Sequence, residues 1–257
     1  DWLAALDWRA LAPAACEAER ALAVFAERRR MSPERVALDR LSMIEESVAE
    51  ARMAGLVTTR HRVQERMLLV DEPDDGRPDR HRPFLRITPG DGRAVAHLAD
   101  LKALYGKPGG LSDSALAGML AGGDRDAGPD GLPEAERALE RITEWRAGMR
   151  RELRDQPRVI GAAAGIWMLA THASDVLGDP AWVTRVAAPA ALAPKACLDG
   201  DTPLLFPGGS FAHRSSAWSP DGDPAKWAQR FAEGMARAAQ KASSELALLE
   251  QRVERAR

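Results

Sequence analysis

The stretch His81–Arg93, "HRPFLRITPGDGR", gathers nearly every residue type found in a nucleotide-transfer loop, in scrambled spacing. Histidine can act as a general base, while glycine amides and arginine can hold phosphate. Such chemistry depends on order and spacing as much as on composition. Whether these residues form a site therefore turns on the elements that would have to position them.

The chain has 257 residues, 45% of them hydrophobic, enough to bury a substantial core as one large domain. Its 36 Lys and Arg nearly balance 38 Asp and Glu, for a formal charge of -2, so no global charge draws it to nucleic acid or an anionic membrane. Cys16 and Cys197 are the only cysteines and lie far apart, which excludes a disulfide framework or a cysteine-based zinc site as the organising feature. This usage reads as intracellular, and the expected location is the cytoplasm. No apolar run reaches the roughly 18 to 20 residues that span a bilayer, and "DWLAALDWRALAPAAC" lacks the form of a signal peptide. The chain begins at Asp1 instead of Met, so it reads as a trimmed product with room for sequence beyond either end.

Alanine is abundant and apolar positions recur at helical spacing, which predicts a mainly α fold. A first helix is expected over about Pro13 to Arg30, with Ala15, Ala18, Leu22 and Phe25 on one face. In "MSPER", Ser32 is a suitable N-cap and Pro33 a suitable first helical residue. The next helix points Leu41, Ile44, Val48 and Ala51 inward and stops near Gly55. A third, Thr59 to Leu69, presents Val63 and Met67.

"DEPDDGRPDRHRP" is charged, Pro-rich and aperiodic, hence a solvated loop. "FLRI" and "RAVAHL" flank "TPGDG", a pattern that suits a short β-hairpin or a loop entering a helix. "GGDRDAGPDGLP" reads as a second, flexible break. Pro133 then opens a helix with Leu139, Ile142, Trp145 and Met149 as its stripe. Pro157 opens "RVIGAAAGIWMLATH", apolar nearly all round and so expected in the middle of a bundle. A shorter helix is expected over roughly Ala181 to Ala193. The last starts with Asp223 as N-cap and Pro224 first, and its stripe runs Trp227, Phe231, Met235, Ala238, Ala242, Leu246, Leu249 and Val253. That stripe is either buried within the protomer or shared with a second copy, and a homodimer is favoured here.

The order of these pieces resembles the Fic (Fido-fold) family, whose members transfer AMP or a related group from a nucleotide onto a target side chain. "LAPAACEAERALAVFAERRRMSPERVALDRLSMIEESVAEARMAGL" looks like the family's N-terminal region, with Arg52 and Gly55 matching its inhibitory segment and Ala54 standing where that segment has a glutamate. "GDPAKWAQRFAEGMARAAQKASSELALLEQR" is similar to the closing helix, through Asp223, Trp227, Phe231 and Gly234. Between them, "RVIGAAAGIWMLATHASDVLGDPAWVTRVAAPAAL" takes the place of the core helix, catalytic loop and following helix. The segments cover about two-thirds of the chain. They imply an all-α, Fic-like bundle around a central apolar helix, with at most one short hairpin. Residues 1–70 are the N-terminal Fic-like helices, 71–132 a variable loop, hairpin and linker region, and 133–257 the core and C-terminal helix, compact with 1–70.

Active Fic proteins carry His-Pro-Phe-x-Asp/Glu-Gly-Asn-Gly-Arg, where the His is the base, the acid holds Mg²⁺, and the glycine amides and Arg cradle the phosphates. The corresponding stretch here is "HASDVLGDPAWVTR". The resemblance assigns His172 as the base and Arg185 as the later arginine, with Asp175, Gly178 and Asp179 left on the cofactor side. Pro-Phe is absent, Pro180 offers no N–H, and Trp182 is bulky where backbone must approach phosphate closely. "HRPFLRITPGDGR" lies ahead of the core helices, with an extra residue between His81 and Pro83 and its glycines several positions late, so it reads as a coincidence of composition.

Each of these residues also has a plainer reading. A histidine following an apolar helix is more often packed or capping than catalytic. Asp175 and Asp179 fall among turn formers, where aspartate commonly bonds its own backbone, and Arg185 suits a surface ion pair. The tryptophans are spaced as core or interface residues, without the interleaved basic residues of a nucleic-acid surface. The expectation is a Fic-like protein with an eroded transfer site that acts as a regulatory or interaction scaffold, with no metal or other cofactor, and with a protein partner or a second copy. The alternatives are an active transferase using His172, Mg²⁺ and a nucleotide such as ATP, and a transcriptional regulator. The regulator reading follows a rhizobial-type subset of Fic-like proteins in which a helix-turn-helix follows the last helix; here it would lie beyond Arg257, so DNA would be met only outside this chain.

Overall fold

The computed structural model describes residues 6–53, 55–70, 88–105, 132–152, 157–172 and 222–256. Among these residues there are seven helices and no strand: α1 (Trp8–Met31), α2 (Arg35–Met53), α3 (Arg60–Val70), α4 (Pro89–Tyr105), α5 (Leu132–Glu152), α6 (Arg158–His172) and α7 (Pro224–Ala256). None is long and apolar enough to cross a membrane. The fold is all-α. The helix expected over Ala181 to Ala193, the loop before Pro83 and most of the second break lie outside the described residues.

The longest contact is between α1 and α7, from opposite ends of the sequence. Glu17 accepts from the Gln240 amide at 2.8 Å and Arg28 meets Glu250 at 3.3 Å, so the two helices run parallel. Their facing stripes are small and apolar: Leu11, Ala15, Ala18, Leu22 and Phe25 on α1, and Phe231, Ala232, Met235, Ala239, Ala242 and Leu246 on α7, all buried. Alanines on both faces let the axes approach, and the large side chains fill the gaps between them. Parallel helices set their dipoles side by side, a penalty of at most about 1 kcal/mol at the ends. Each fully buried Phe or Leu contributes about 1.5–3 kcal/mol, so burial decides the arrangement. The α7 stripe is thus buried within the protomer through Leu246.

Helix starts and stops follow local chemistry where such chemistry is present. Asp223 caps α7, accepting from Ala225 N–H at 2.9 Å, and Pro224 is its first residue as expected. Gly55, at φ 73°, ends α2 in a Schellman turn: Leu56 N–H reaches the Ala51 carbonyl and Gly55 N–H the Arg52 carbonyl, both at 3.0 Å. Ser32 accepts from Glu34 N–H and leads into α2, whose regular hydrogen bonding begins at the Glu34 carbonyl, slightly later than expected.

Two expectations are revised, for α1 and α5, and of the hairpin and helix entry left open at "TPGDG" the helix entry is found. α1 begins at Trp8, not Pro13, because Asp7 caps it by accepting from the N–H groups of Arg9 and Ala10, and buried Leu11 secures the first turns; Pro13 sits inside the helix with its ring at the surface. From Thr88 on, "TPGDGRAVAHL" enters a helix and forms no hairpin, with Ala94, Leu98 and Leu101 buried at helical spacing. On α5, Ala138 with Ile142 and Trp145 faces inward, and Leu139 is turned out.

α6 is the interior rod. Every residue from Val159 to Ile166 is buried. Its N-terminus is held by a residue far away in sequence: Glu19 of α1 accepts from Val159 N–H at 2.7 Å and pairs with Arg158 at 3.0 Å. Farther along, Trp145 of α5 donates to the Gly165 carbonyl at 2.6 Å. The Trp167 ring meets Trp227 edge-on at 5.5 Å, and Trp227 stacks on Phe231 at 5.3 Å. α6 therefore runs opposite to α1 and α7, and its last turn lies at the same end of the bundle as the first turn of α7.

Glu19→Ala removes a carboxylate from the first turn of α6 and leaves Val159 N–H and Arg158 without it. A loss of about 1–2 kcal/mol is expected, read as a lower urea midpoint with an unchanged slope.

Candidate functional site

Two places can be examined for chemistry: the end of α6, to which the Fic resemblance points, and a buried polar cluster joining α2, α3 and α4. At the first, α6 ends at His172. Asp175, Gly178, Asp179 and Arg185 lie outside the described residues. The described surroundings are those that fix the helix end: the Trp167–Trp227–Phe231 stack, and Thr171, whose hydroxyl donates back to the Trp167 carbonyl at 2.7 Å.

A phosphate site at this end would need N–H groups or cations. α6 arrives there by its carbonyl end, which carries negative potential. α7 arrives by its N–H end, the favourable one for an anion. Those N–H groups are already engaged, since the Asp223 carboxylate accepts from both Ala225 and Lys226. A bound phosphate would have to displace it or share the turn with a negative charge. Among the described residues at this end, the first turn of α7 is thus closed by the chain's own carboxylate.

The same closure recurs elsewhere. Asp7 caps α1, Thr59 accepts from Arg62 N–H at the start of α3, Thr88 accepts from Asp91 N–H at the start of α4, and Glu19 closes α6. Each of these helix N-termini is occupied by an oxygen from the chain's own side chains.

The second place is built around Asp91, whose side chain is 1% exposed. Thr88 and Asp91 form a reciprocal capping box: Thr88 N–H donates to Asp91 at 3.1 Å and Asp91 N–H donates to the Thr88 hydroxyl oxygen at 3.2 Å. The Thr58 hydroxyl donates to the other Asp91 oxygen at 2.7 Å, and Arg62 of α3 meets the carboxylate at 3.0 Å. Two residues on, Arg93 grips buried Glu50 of α2 at 2.7 Å. Gly90 allows this close fit, since a Cβ there would stand 2.5 Å from the Val57 carbonyl oxygen. Elsewhere on α2, the buried Ser42 hydroxyl has no hydrogen-bond partner among the described residues, and His97 of α4 is buried as well.

Burial raises the Asp91 pKa, but the bonds from Thr58 and Thr88 and the Arg62 charge outweigh it, so the carboxyl is held below its ordinary value. An acid held ionised by three partners is closed in by the fold and has no proton to give. The cluster is a latch that fixes the start of α4 against α2 and α3. Thr88, Gly90, Asp91 and Arg93 all come from "HRPFLRITPGDGR"; that half of the stretch is structural, and His81 to Ile87 lie outside the described residues. The Thr-x-x-Asp spacing ahead of an apolar run is the signal that identifies it in the sequence. Among the described residues no group of His, Cys, Asp and Glu is arranged to hold a metal ion.

Because the folded Asp91 carboxyl titrates below its unfolded value, its contribution is fully present above about pH 4 and is lost as pH falls through the folded value. Wild-type stability is expected to decline more steeply below pH ~4 than that of Asp91→Asn, which at pH 7 is already weaker by about 1–3 kcal/mol. Gly90→Ala weakens the same junction by about 1–3 kcal/mol through overlap, with no change in the acid slope. Denaturant melts across pH check both. The chain matches no family model, no curated protein and no solved structure.

Proposed function

We propose that this protein is a Fic-like scaffold whose nucleotide-transfer site has eroded, and that it works by holding a protein partner or a second copy of itself. The reading rests on the order of the sequence segments that resemble Fic proteins, together with the departures in "HASDVLGDPAWVTR". The departures that carry it are Pro180, which offers no N–H, and Trp182, bulky where backbone must approach phosphate closely. A nucleotide-transfer site concentrates positive potential and free N–H groups on the phosphates; "GDPAW" stands here where active Fic proteins have the Gly-Asn-Gly-Arg that supplies both.

On this reading the missing inhibitory glutamate at Ala54 and the missing cradle belong together, since a site that does not grip phosphate gains nothing from an internal inhibitor. The protein acts in the cytoplasm, in keeping with its two widely separated cysteines and the exposed free thiol of Cys16.

Incubating the purified protein with Mg²⁺ and α-labelled nucleotides is expected to leave no label above background, with wild type and His172→Ala alike. Label on the wild type that disappears in His172→Ala would overturn the scaffold reading in favour of a transferase with His172 as base.

A further inference from the structure

The inward face of α1 is taken up by α7, which makes its outward face the informative one. Running along it are Cys16, Arg20, Ala23, Val24, Glu27, Arg30 and Met31, all exposed, with Glu17 at its edge. Val24 is 56% and Met31 68% exposed, high for apolar side chains in the middle and last turn of a 24-residue helix. The charges on this face are paired along the helix: Glu17 with Arg20 at 2.8 Å and Glu27 with Arg30 at 2.7 Å. The two ion pairs bracket the apolar centre at Ala23 and Val24.

The order of charges has a further property. Read from the midpoint of Ala23 and Val24, residues equally far in the two directions are opposite in sign: Arg20 and Glu27, then Glu17 and Arg30. Beyond them, Cys16 stands opposite Met31. An antiparallel copy of the same helix would therefore place Arg20, near the centre line of the face, against the other copy's Glu27, a pair that occurs twice. Ala23 would meet Val24 at the centre, a small residue against a larger one. A parallel copy in register would instead oppose like charges at every one of these positions.

We infer that two copies of this chain associate through the outer faces of α1, antiparallel, about a twofold axis passing between Ala23 and Val24. The contact is isologous and closed, as a symmetric dimer requires. It narrows the self-association named above to one surface, and it stands whether or not a nucleotide is ever transferred, because its readout is molecular mass and not labelling. One helix pair over about five turns lies at the small end of stable interfaces, so the dimer is concentration-dependent, and its exposed ion pairs make it weaken as salt rises.

Sedimentation equilibrium of the full chain at low salt, over a range of concentrations, tests it. Wild type is expected to pass from monomer to dimer. Glu27→Arg, which the axis applies twice, is expected to lower the association constant by roughly tenfold or more. Val24→Asp, at the centre, is expected to abolish association. The double change Arg20→Glu with Glu27→Arg reverses both partners and is expected to regain most of what Glu27→Arg loses. It also puts like charges three residues apart twice within each helix, so a regain cannot come from a more stable helix. These positions are exposed, and circular dichroism with thermal melts confirms that each variant stays folded. A chain that stays monomeric throughout, a dimer indifferent to Val24→Asp, or a double change no tighter than Glu27→Arg would each overturn the inference.

Discussion

Two alanine-rich helices from opposite ends of the sequence lie parallel, and the other helices occupy the surfaces that this pair leaves. The contact is apolar and close, with Phe25, Phe231 and Met235 fully or almost fully buried among alanines. Its alignment is set at the edges by polar groups, Glu17 with Gln240 and Arg28 with Glu250. The apolar area supplies the stability and the polar edges supply the register, a division of labour expected when exposed ion pairs are weak and buried side chains are not. Glu19 extends the same logic to a third helix by placing a carboxylate at the one end of α6 where a helix dipole favours it.

The rest of the molecule contrasts with that apolar body. α2, α3 and α4 are bound to one another through Asp91, Thr58, Arg62, Glu50 and Arg93, and the bidentate Arg29–Asp39 pair, at 2.6 and 3.0 Å, ties α2 back to α1. Directional bonds of this kind define one geometry more sharply than an alanine-rich surface does. They also account for residues that look chemical in the sequence. An Asp, an Arg and glycines close together suggest a phosphate loop until each polar atom is seen facing another part of the fold.

Features decided within a few residues were legible in the sequence. Asp223 and Pro224 mark the start of α7, Gly55 the end of α2, and the all-round apolarity of "RVIGAAAGIWMLATH" its interior place. The start of α1 departs from its strongest local signal, Pro13, because the Asp7 cap and the burial of Leu11 together extend the helix past it. At α4 a Pro-rich approach and mixed patterning leave hairpin and helix both open, and the Thr88–Asp91 capping box is what selects the helix. What periodicity cannot carry is pairing across the chain. Glu19 and Val159 are 140 positions apart, and nothing in either neighbourhood specifies the other. The candidate site was legible only as a resemblance, since of its proposed residues the described chain reaches His172 alone.

The joining of first helix to last also imposes an order of events during synthesis. Arg28 and Glu250 are 222 positions apart, so at about 5–20 residues per second α1 leaves the ribosome roughly 10–45 s before its mate exists. For that interval Leu11, Leu22 and Phe25 have nothing durable to rest against. The nascent chain must keep an oily stripe from sticking to its neighbours until α7 has been made, and loops closed over so long a contour form slowly even then. Yield in a heterologous host should therefore be governed by how well the emerging α1 is chaperoned, more than by the stability of the finished bundle.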